Sequence, residues 1–177
     1  FMDIDHQPIN ACVKPRIFVC VFTDGSGATK YAQRRANLRA TWFPNTTHAL
    51  QRIECMHGIT TRFVVGSGTL TNDSEAVEAW HNELRMHDDF LKLDMLDTYL
   101  AMTGKTAKMF RHVMSLPQNY EYVVKVDDDM FLSLSHLAKA VEQWTEMKAD
   151  YVGCMTNPGT IFRTKGEDGN RAFKRCN

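Results

Sequence analysis

Three consecutive carboxylates, Asp127, Asp128 and Asp129, close the apolar stretch Tyr120 to Val126 (YEYVVKV). Adjacent carboxylates repel one another and favour no secondary structure, so a triplet implies either a cation or full solvation. At the end of an extended segment alternate residues point to opposite sides. Asp127 and Asp129 therefore share a side and Asp128 points away. Two hard oxygen ligands with open positions suit Mg²⁺ or Mn²⁺ bridging to phosphate oxygens, and the plain alternative is a solvated turn or helix cap. A second constellation is basic. Arg35 and Arg39 lie four apart, neighbours on one helical face. That face either meets a diphosphate through bidentate contacts or is simply a solvated cationic surface.

Other chemistries do not match. An EF-hand beginning at Asp127 needs Gly and Glu where the chain has Leu132 and Ala138. Gly104-Lys105-Thr106 lacks the earlier glycine of a phosphate loop, having Tyr99 there, and lies inside a helical pattern. Gly66-Ser67-Gly68 lacks the third glycine of a dinucleotide fingerprint and reads as a turn. The histidines show no metal-ligand spacing with one another, and no Ser-His-Asp or Cys-His arrangement can be argued from position.

The elements that position these residues alternate. Ile17–Phe22 is a continuous apolar run of the buried parallel-strand kind, closed by Thr23-Asp24-Gly25-Ser26-Gly27. A basic helix follows from Tyr31 to Trp42, stopped by Pro44. Arg62–Val65 predicts a second strand. Ser74 caps a helix from Glu75 to about His87, with Val77, Trp80 and Leu84 inward. Phe90–Met95 is a third strand. A helix from Asp97 to about Leu116 follows, its apolar face being Tyr99, Met102, Met109, Phe110 and Val113. The fourth strand delivers the triplet. Ser133 or Ser135 then caps a helix with Leu134, Leu137, Val141 and Trp144 inward, and Tyr151–Met155 is a candidate fifth strand. This alternation predicts an α/β domain with a largely parallel sheet and helices on both faces. Ligands of such folds sit beyond the carboxyl ends of the strands, where the triplet lies.

The 177 residues suffice for one domain with a real core, and Lys+Arg equals Asp+Glu at 21 each, so no overall field steers the chain toward nucleic acid or an anionic membrane. No apolar run is long enough to span a bilayer. Five cysteines without a CxxC pair argue against structural zinc, and Cys20 reads as core. Sequons at Asn45-Thr46-Thr47 and Asn72-Asp73-Ser74 lie in polar, loop-like stretches and favour the secretory pathway.

Several blocks together resemble one family. Arg34 to Trp42 (RRANLRATW) is similar to the RRxAIRxTW motif of β-1,3-galactosyltransferases. Glu83, His87-Asp88-Asp89-Phe90, Asp94 to Tyr99 and Thr103 to Thr106 resemble that family's E…YGDII…DF.DTY.NLTLKT block. Tyr122 to Leu132 resembles its YVMKTDDDVFV segment. The similarity runs from about Ile17 to Met155, with the blocks in order and properly spaced. It implies a GT-A type, Rossmann-like domain with the C-terminal part of the fold missing. It also implies inverting, Mn²⁺-dependent (or Mg²⁺-dependent) transfer of galactose or N-acetylglucosamine from a UDP-sugar to a glycan or glycoprotein acceptor. The family's members are type II Golgi membrane proteins, so an anchor is expected upstream.

Carried over, Asp129 would ligand the metal with Asp127, while Asp127 and Asp128 would hold donor sugar, ribose or metal-bound water. Arg35, Arg39 and Lys105 would lie near the uridine diphosphate, and Thr23 would border the uracil. Trp42, Asp97 and Tyr99 would brace the site. The expected layout is a lead-in over 1–16, a nucleotide-sugar-binding domain over 17–155 and an irregular tail over 156–177. Departures are Gly104, where the family has Leu or Tyr, His87-Asp88 for Tyr-Gly, and no counterpart before Asn177 of the Glu-Asp-Val segment carrying the general base. The alternative expectation is a fragment that binds only UDP and a divalent metal.

Overall fold

The computed structural model describes residues 12–68 and 73–153. In chain order the elements are β1 (Ile17–Phe22), α1 (Thr29–Arg39), α2 (Thr47–His57), β2 (Ile59–Gly68), α3 (Ser74–Met86) and β3 (Phe90–Leu96). A 3-10 turn (Tyr99–Ala101), α4 (Met102–Ser115), β4 (Tyr122–Asp127) and α5 (Leu134–Glu146) follow. The four strands form one sheet in the order β3-β2-β1-β4, and every pair is parallel. Residues up to Lys139 form one compact unit and a second begins at Ala140, inside α5. In that second unit Val141 is buried and Thr145 Oγ1 donates to the Val141 carbonyl.

β1 is apolar at every position because it lies between β2 and β4 with both faces covered. Phe18, Cys20 and Phe22 point to one face, where they join Val64, Leu91, Leu93 and the α4 residues Met109 and Val113 in a single core. Phe63 and Phe90, paired across β2 and β3, belong to the opposite face. There Phe63 stacks on Phe43 and Phe90 meets Trp80 of α3 edge-on. Cys20 is fully buried and free, and burial pushes its thiol pKa far above the ordinary value, leaving it an unreactive core residue. Cys12 and Cys55 form a disulfide that ties the segment before β1 to α2.

The sequence reading holds for β1 and for the existence of the other three strands, α1, α3, α4 and α5, and needs correction elsewhere. α1 starts earlier and ends at Arg39 rather than Trp42. α2 lies between Pro44 and Arg62, where the sequence reading assigns no element. It is capped by the Thr46 side chain, which accepts from the Ala49 amide, and ends at Gly58 with φ 64°, where any Cβ would also meet the Lys14 carbonyl at 2.5 Å. Asn45 of the first sequon is exposed immediately before that cap. β2 runs on through Gly66-Ser67-Gly68, which is an irregular strand end rather than a turn. Asp73, not Ser74, caps α3, accepting from the Glu75 and Ala76 amides. The buried face of α4 is Lys105, Met109 and Val113, at four-residue steps, whereas Tyr99, Met102 and Phe110 are exposed. Residues 151–153 form no strand, and the rest of that candidate, Asn72 and the tail lie outside the described residues.

Gly104 lies in the first turn of α4 with nothing within 4 Å of a would-be Cβ. Gly104→Ala should therefore stabilise the fold by about 0.5–1 kcal/mol, through helix propensity and a less flexible unfolded chain. A higher urea midpoint at unchanged m checks this, and an unchanged or lower midpoint would refute it.

Candidate functional site

The chain moves outward from β1 through β2 to β3, then returns to place β4 on the other side of β1. The loops leaving β1 and β4 must therefore diverge, and they open a crevice at the carboxyl edge of the sheet, the place where open α/β folds bind ligands. A cleft of about 260 Å³ lies there, near the lower end for small-molecule sites. Thr23 and Asp24 after β1, Tyr31 and Arg34 of α1, Asp97 to Tyr99 after β3, Met102 and Lys105 of α4, and the whole triplet line it.

The triplet divides as strand alternation predicts. Asp127 and Asp129 have side chains 62% and 56% exposed, and Asp128 only 5%. The buried carboxylate is fully engaged: Thr23 Oγ1 donates to Oδ2 at 2.7 Å and Arg34 NH1 to Oδ1 at 2.6 Å. Asp128 thereby fastens the β4 loop to β1 and α1, and both its oxygens are already taken. Arg34 NH2 also approaches Asp129 at 3.4 Å, and Lys125 Nζ donates to Asp127 Oδ1 at 2.7 Å. Trp42 Nε1 donates to the Met130 carbonyl, bracing the chain just after the triplet.

Lys105 and Asp97 form the floor. Both side chains are 5% exposed, with Nζ 2.6 Å from Asp97 Oδ1 and 2.6 Å from the Thr23 carbonyl. Asp97 Oδ2 accepts the amides of Gly25 and Gly66, at 2.9 and 2.6 Å. One carboxylate thus gathers the β1 loop, the end of β2 and α4. Its approach requires glycine at position 25, where a Cβ would sit 2.7 Å from the Gly66 carbonyl.

Arg35 and Arg39 are not in the cleft. Arg35 is wholly buried, its fork on both Glu83 oxygens and its NH1 on the Asp24 carbonyl. Arg39 grips Asp89 with two nitrogens and shares Glu83 Oε1. The guanidiniums lie over Trp80, Phe90 and Phe63, with Arg35 4.9 Å from the Trp80 ring and Arg39 4.9 Å from Phe63. Two arginines and two carboxylates form a neutral buried quartet behind the loop that borders the cleft. Neither the diphosphate-facing nor the solvated reading of this face describes it. Their link to the cleft is through Thr23 and Asp24, whose hydroxyl and carbonyl oxygens both accept from Arg35 NH1.

Burial alone would raise the Glu83 pKa, but hydrogen bonds and charge from Arg35 and Arg39 outweigh it and hold Glu83 below its ordinary 4.5. A carboxylate depressed on folding contributes stability that is complete above its unfolded pKa and is lost as pH falls through its folded pKa. Stability should therefore decline as pH drops below about 4.5. Glu83→Gln should cost roughly 1–3 kcal/mol at neutral pH and flatten that acid limb. Urea unfolding across the acid range checks this, and parallel profiles for the two proteins would refute it.

The arginine that does reach the cleft, Arg34, was left out of the sequence-based site, as were Tyr31, Asp24 and Met102. One signal was available. α1 (TKYAQRRANLR) has no apolar stripe, so whatever face it buries must include arginines, and the burial of Arg35, Leu38 and Arg39 turns Arg34 another way. Thr23, Lys105 and the three aspartates do converge on the cleft.

The family resemblance implies a divalent cation, and the donor set can be tested against one. Among the described residues no group of three His, Cys, Asp or Glu side chains is arranged to hold a metal ion by itself, so these residues offer no closed cage of the zinc kind. Asp127 and Asp129 instead present two carboxylates at the cleft with open sides. Cations of the Mg²⁺ or Mn²⁺ class are commonly held that way, by one or two carboxylates with water and substrate phosphate completing the shell. The residues fit.

Comparison with known proteins bears on the family. The galactosyltransferase family model matches residues 33–174. The chain is 33% identical over 157 residues to the probable beta-1,3-galactosyltransferase 1 of Arabidopsis thaliana, covering 81% of this chain and 40% of that protein. Beta-1,3-galactosyltransferase 7 of the same plant is 31% identical over 161 residues, covering 81% of this chain and 40% of the relative. The probable beta-1,3-galactosyltransferase 13 is 33% identical over 131 residues, 74% of this chain and 37% of its own length. The chain thus spans about two fifths of the length of these relatives. By the family model and by these relatives, the chain belongs to the galactosyltransferase family.

Proposed function

We propose that this chain forms the donor-binding part of a hexosyltransferase that moves galactose from a UDP-sugar to a glycan or glycoprotein hydroxyl, with inversion and with Mn²⁺ or Mg²⁺. The observation that carries this reading is the cleft at the β1/β4 switch point, lined by Asp127, Asp129, Arg34 and Thr23. Family membership supports the transferred sugar.

A divalent cation, when bound, supplies Lewis-acid stabilisation of the charge that grows on the leaving diphosphate. The chain's own residues do the rest of the binding. Asp127 and Asp129 turn carboxylates outward to hold the cation. Asp128, pinned by Thr23 and Arg34, fixes the angle at which its neighbours leave β4. Lys105, locked on Asp97 and the Thr23 carbonyl, holds the β1 loop that would border the base. Inversion further requires a carboxylate to take the acceptor proton, a group that the family carries in its acceptor half.

The Cys12–Cys55 disulfide and the exposed sequon at Asn45 favour an oxidising, lumenal compartment, in keeping with a Golgi enzyme of protein glycosylation. No helix among the described residues is long and apolar enough to cross a membrane. Calorimetric titration of the full chain with UDP, with and without Mn²⁺, tests the proposal. Binding that requires Mn²⁺ is expected, and metal-independent binding, or none by a folded sample, would overturn it.

A further inference from the structure

The guanidinium of Arg34 is shared unequally between two carboxylates. NH1 is tight on buried Asp128 at 2.6 Å, whereas NH2 stands 3.4 Å from exposed Asp129, beyond a good N–H···O distance. An arginine guanidinium keeps its positive charge throughout. One arm of a planar fork is anchored, and the other is only loosely committed. Arg34 lines the cleft, a third of its side chain is exposed, and its guanidinium carbon lies 5.9 Å from the centre of the Tyr31 ring. Lys125 differs: its Nζ donates to Asp127 Oδ1 at a full hydrogen-bond distance of 2.7 Å.

We infer that Arg34 is a charge placeholder: it partly neutralises Asp129 when no cation is bound there, then transfers its outer arm to the donor's diphosphate, a role that rests on the UDP-donor reading above. The electrostatics give the sign. A positive guanidinium beside Asp129 opposes a second positive charge at that carboxylate, so Arg34 weakens binding of a cation that arrives alone. A diphosphate reverses this, because its oxygens accept two-pronged, charge-assisted hydrogen bonds from a guanidinium already aimed at them. Arg34 therefore biases the site against a bare metal and toward the metal–nucleotide pair. It acts as a positioning and selectivity residue. Because its NH1 anchor stays on Asp128, the change of partner requires only a side-chain movement of the outer arm.

The test reads two affinities with opposite expected signs. Mn²⁺ alone is titrated into the full chain, with free ion followed by electron paramagnetic resonance. UDP is then titrated by calorimetry in saturating Mn²⁺. Arg34→Gln should bind Mn²⁺ alone roughly three- to tenfold more tightly and UDP–Mn²⁺ about tenfold or more weakly. Arg34→Lys keeps the charge and loses the fork, so Mn²⁺ affinity should stay near that of the parent while UDP affinity falls. A merely structural role would weaken both ligands in Arg34→Gln, and that result, or unchanged Mn²⁺ affinity, overturns the inference. If Arg34→Gln does not fold, unchanged UDP affinity in Arg34→Lys overturns it instead. Absence of Mn²⁺-dependent UDP binding in the unsubstituted chain would overturn the donor reading itself, and this role with it.

Discussion

Asp129→Ala should weaken Mn²⁺-dependent UDP binding by on the order of 100-fold or more, and abolish sugar transfer wherever transfer is measured. It should do so without harming the fold. The side chain is 56% exposed and its protein contact is the loose one from Arg34 at 3.4 Å, so the stabilisation lost is below about 1 kcal/mol. Removing one of three adjacent negative charges offsets even that. Loss of binding together with an unchanged melting temperature distinguishes a ligand from a structural carboxylate. Calorimetry with UDP and Mn²⁺, alongside thermal unfolding, reads both quantities. Parent-like affinity would sink the assignment of Asp129 to the cation.

Asp97→Ala should produce the reverse pattern, a collapse of stability. Its carboxylate is 5% exposed and satisfies three donors at once, Lys105 Nζ and the Gly25 and Gly66 amides. Truncation leaves a buried ammonium without its counter-charge, facing the Thr23 carbonyl and the Phe22 ring, and leaves two amides without their acceptor. Breaking one side of a buried ion pair costs about 3–5 kcal/mol, a large share of what a domain this size holds in reserve. Denaturant unfolding should show that loss, or the protein should fail to fold at 37 °C. A companion change, Lys105→Met with Asp97→Asn, removes both charges and should recover part of the loss, since the isolated charge is the costly element. A single-variant loss below about 1 kcal/mol would mean that water reaches this pair and the floor is less sealed than it looks.

These two carboxylates also show how far residue types and spacing carry. The strands were legible because β1 and β4 are apolar runs bounded by turn residues, and their alternation with helices fixes a parallel sheet. The division of the triplet followed from strand periodicity alone. The helix α2 was not legible. Its buried residues Leu50 and Cys55 do not repeat at a clear helical step, and Thr46 and Gly58 are informative only once a helix is already suspected. Arg35 and Arg39 marked the right helix and the wrong side of it. Four-residue spacing shows that two arginines share a face; it does not say whether Glu83 and Asp89, more than forty residues away, cover that face. Lys105 was placed at the cleft, but its burial on Asp97 depends on α4 presenting Lys105, Met109 and Val113 together. Charges are the residues least readable from pattern, because whether they sit inside depends on partners distant in sequence.

The Thr23–Asp128 hydrogen bond joins residues 105 positions apart, and the Arg34–Asp128 bond residues 94 apart. No local segment can make either contact in advance. β1 must wait for β4, the last strand of the sheet, before the two sides of the cleft meet. Contacts of such long range are slow to form. The cleft is therefore a late product of folding, and ligand binding reports that the β1–β4 pairing is complete. A partly folded chain could keep α4 and part of its core contacts while the cleft stays unassembled.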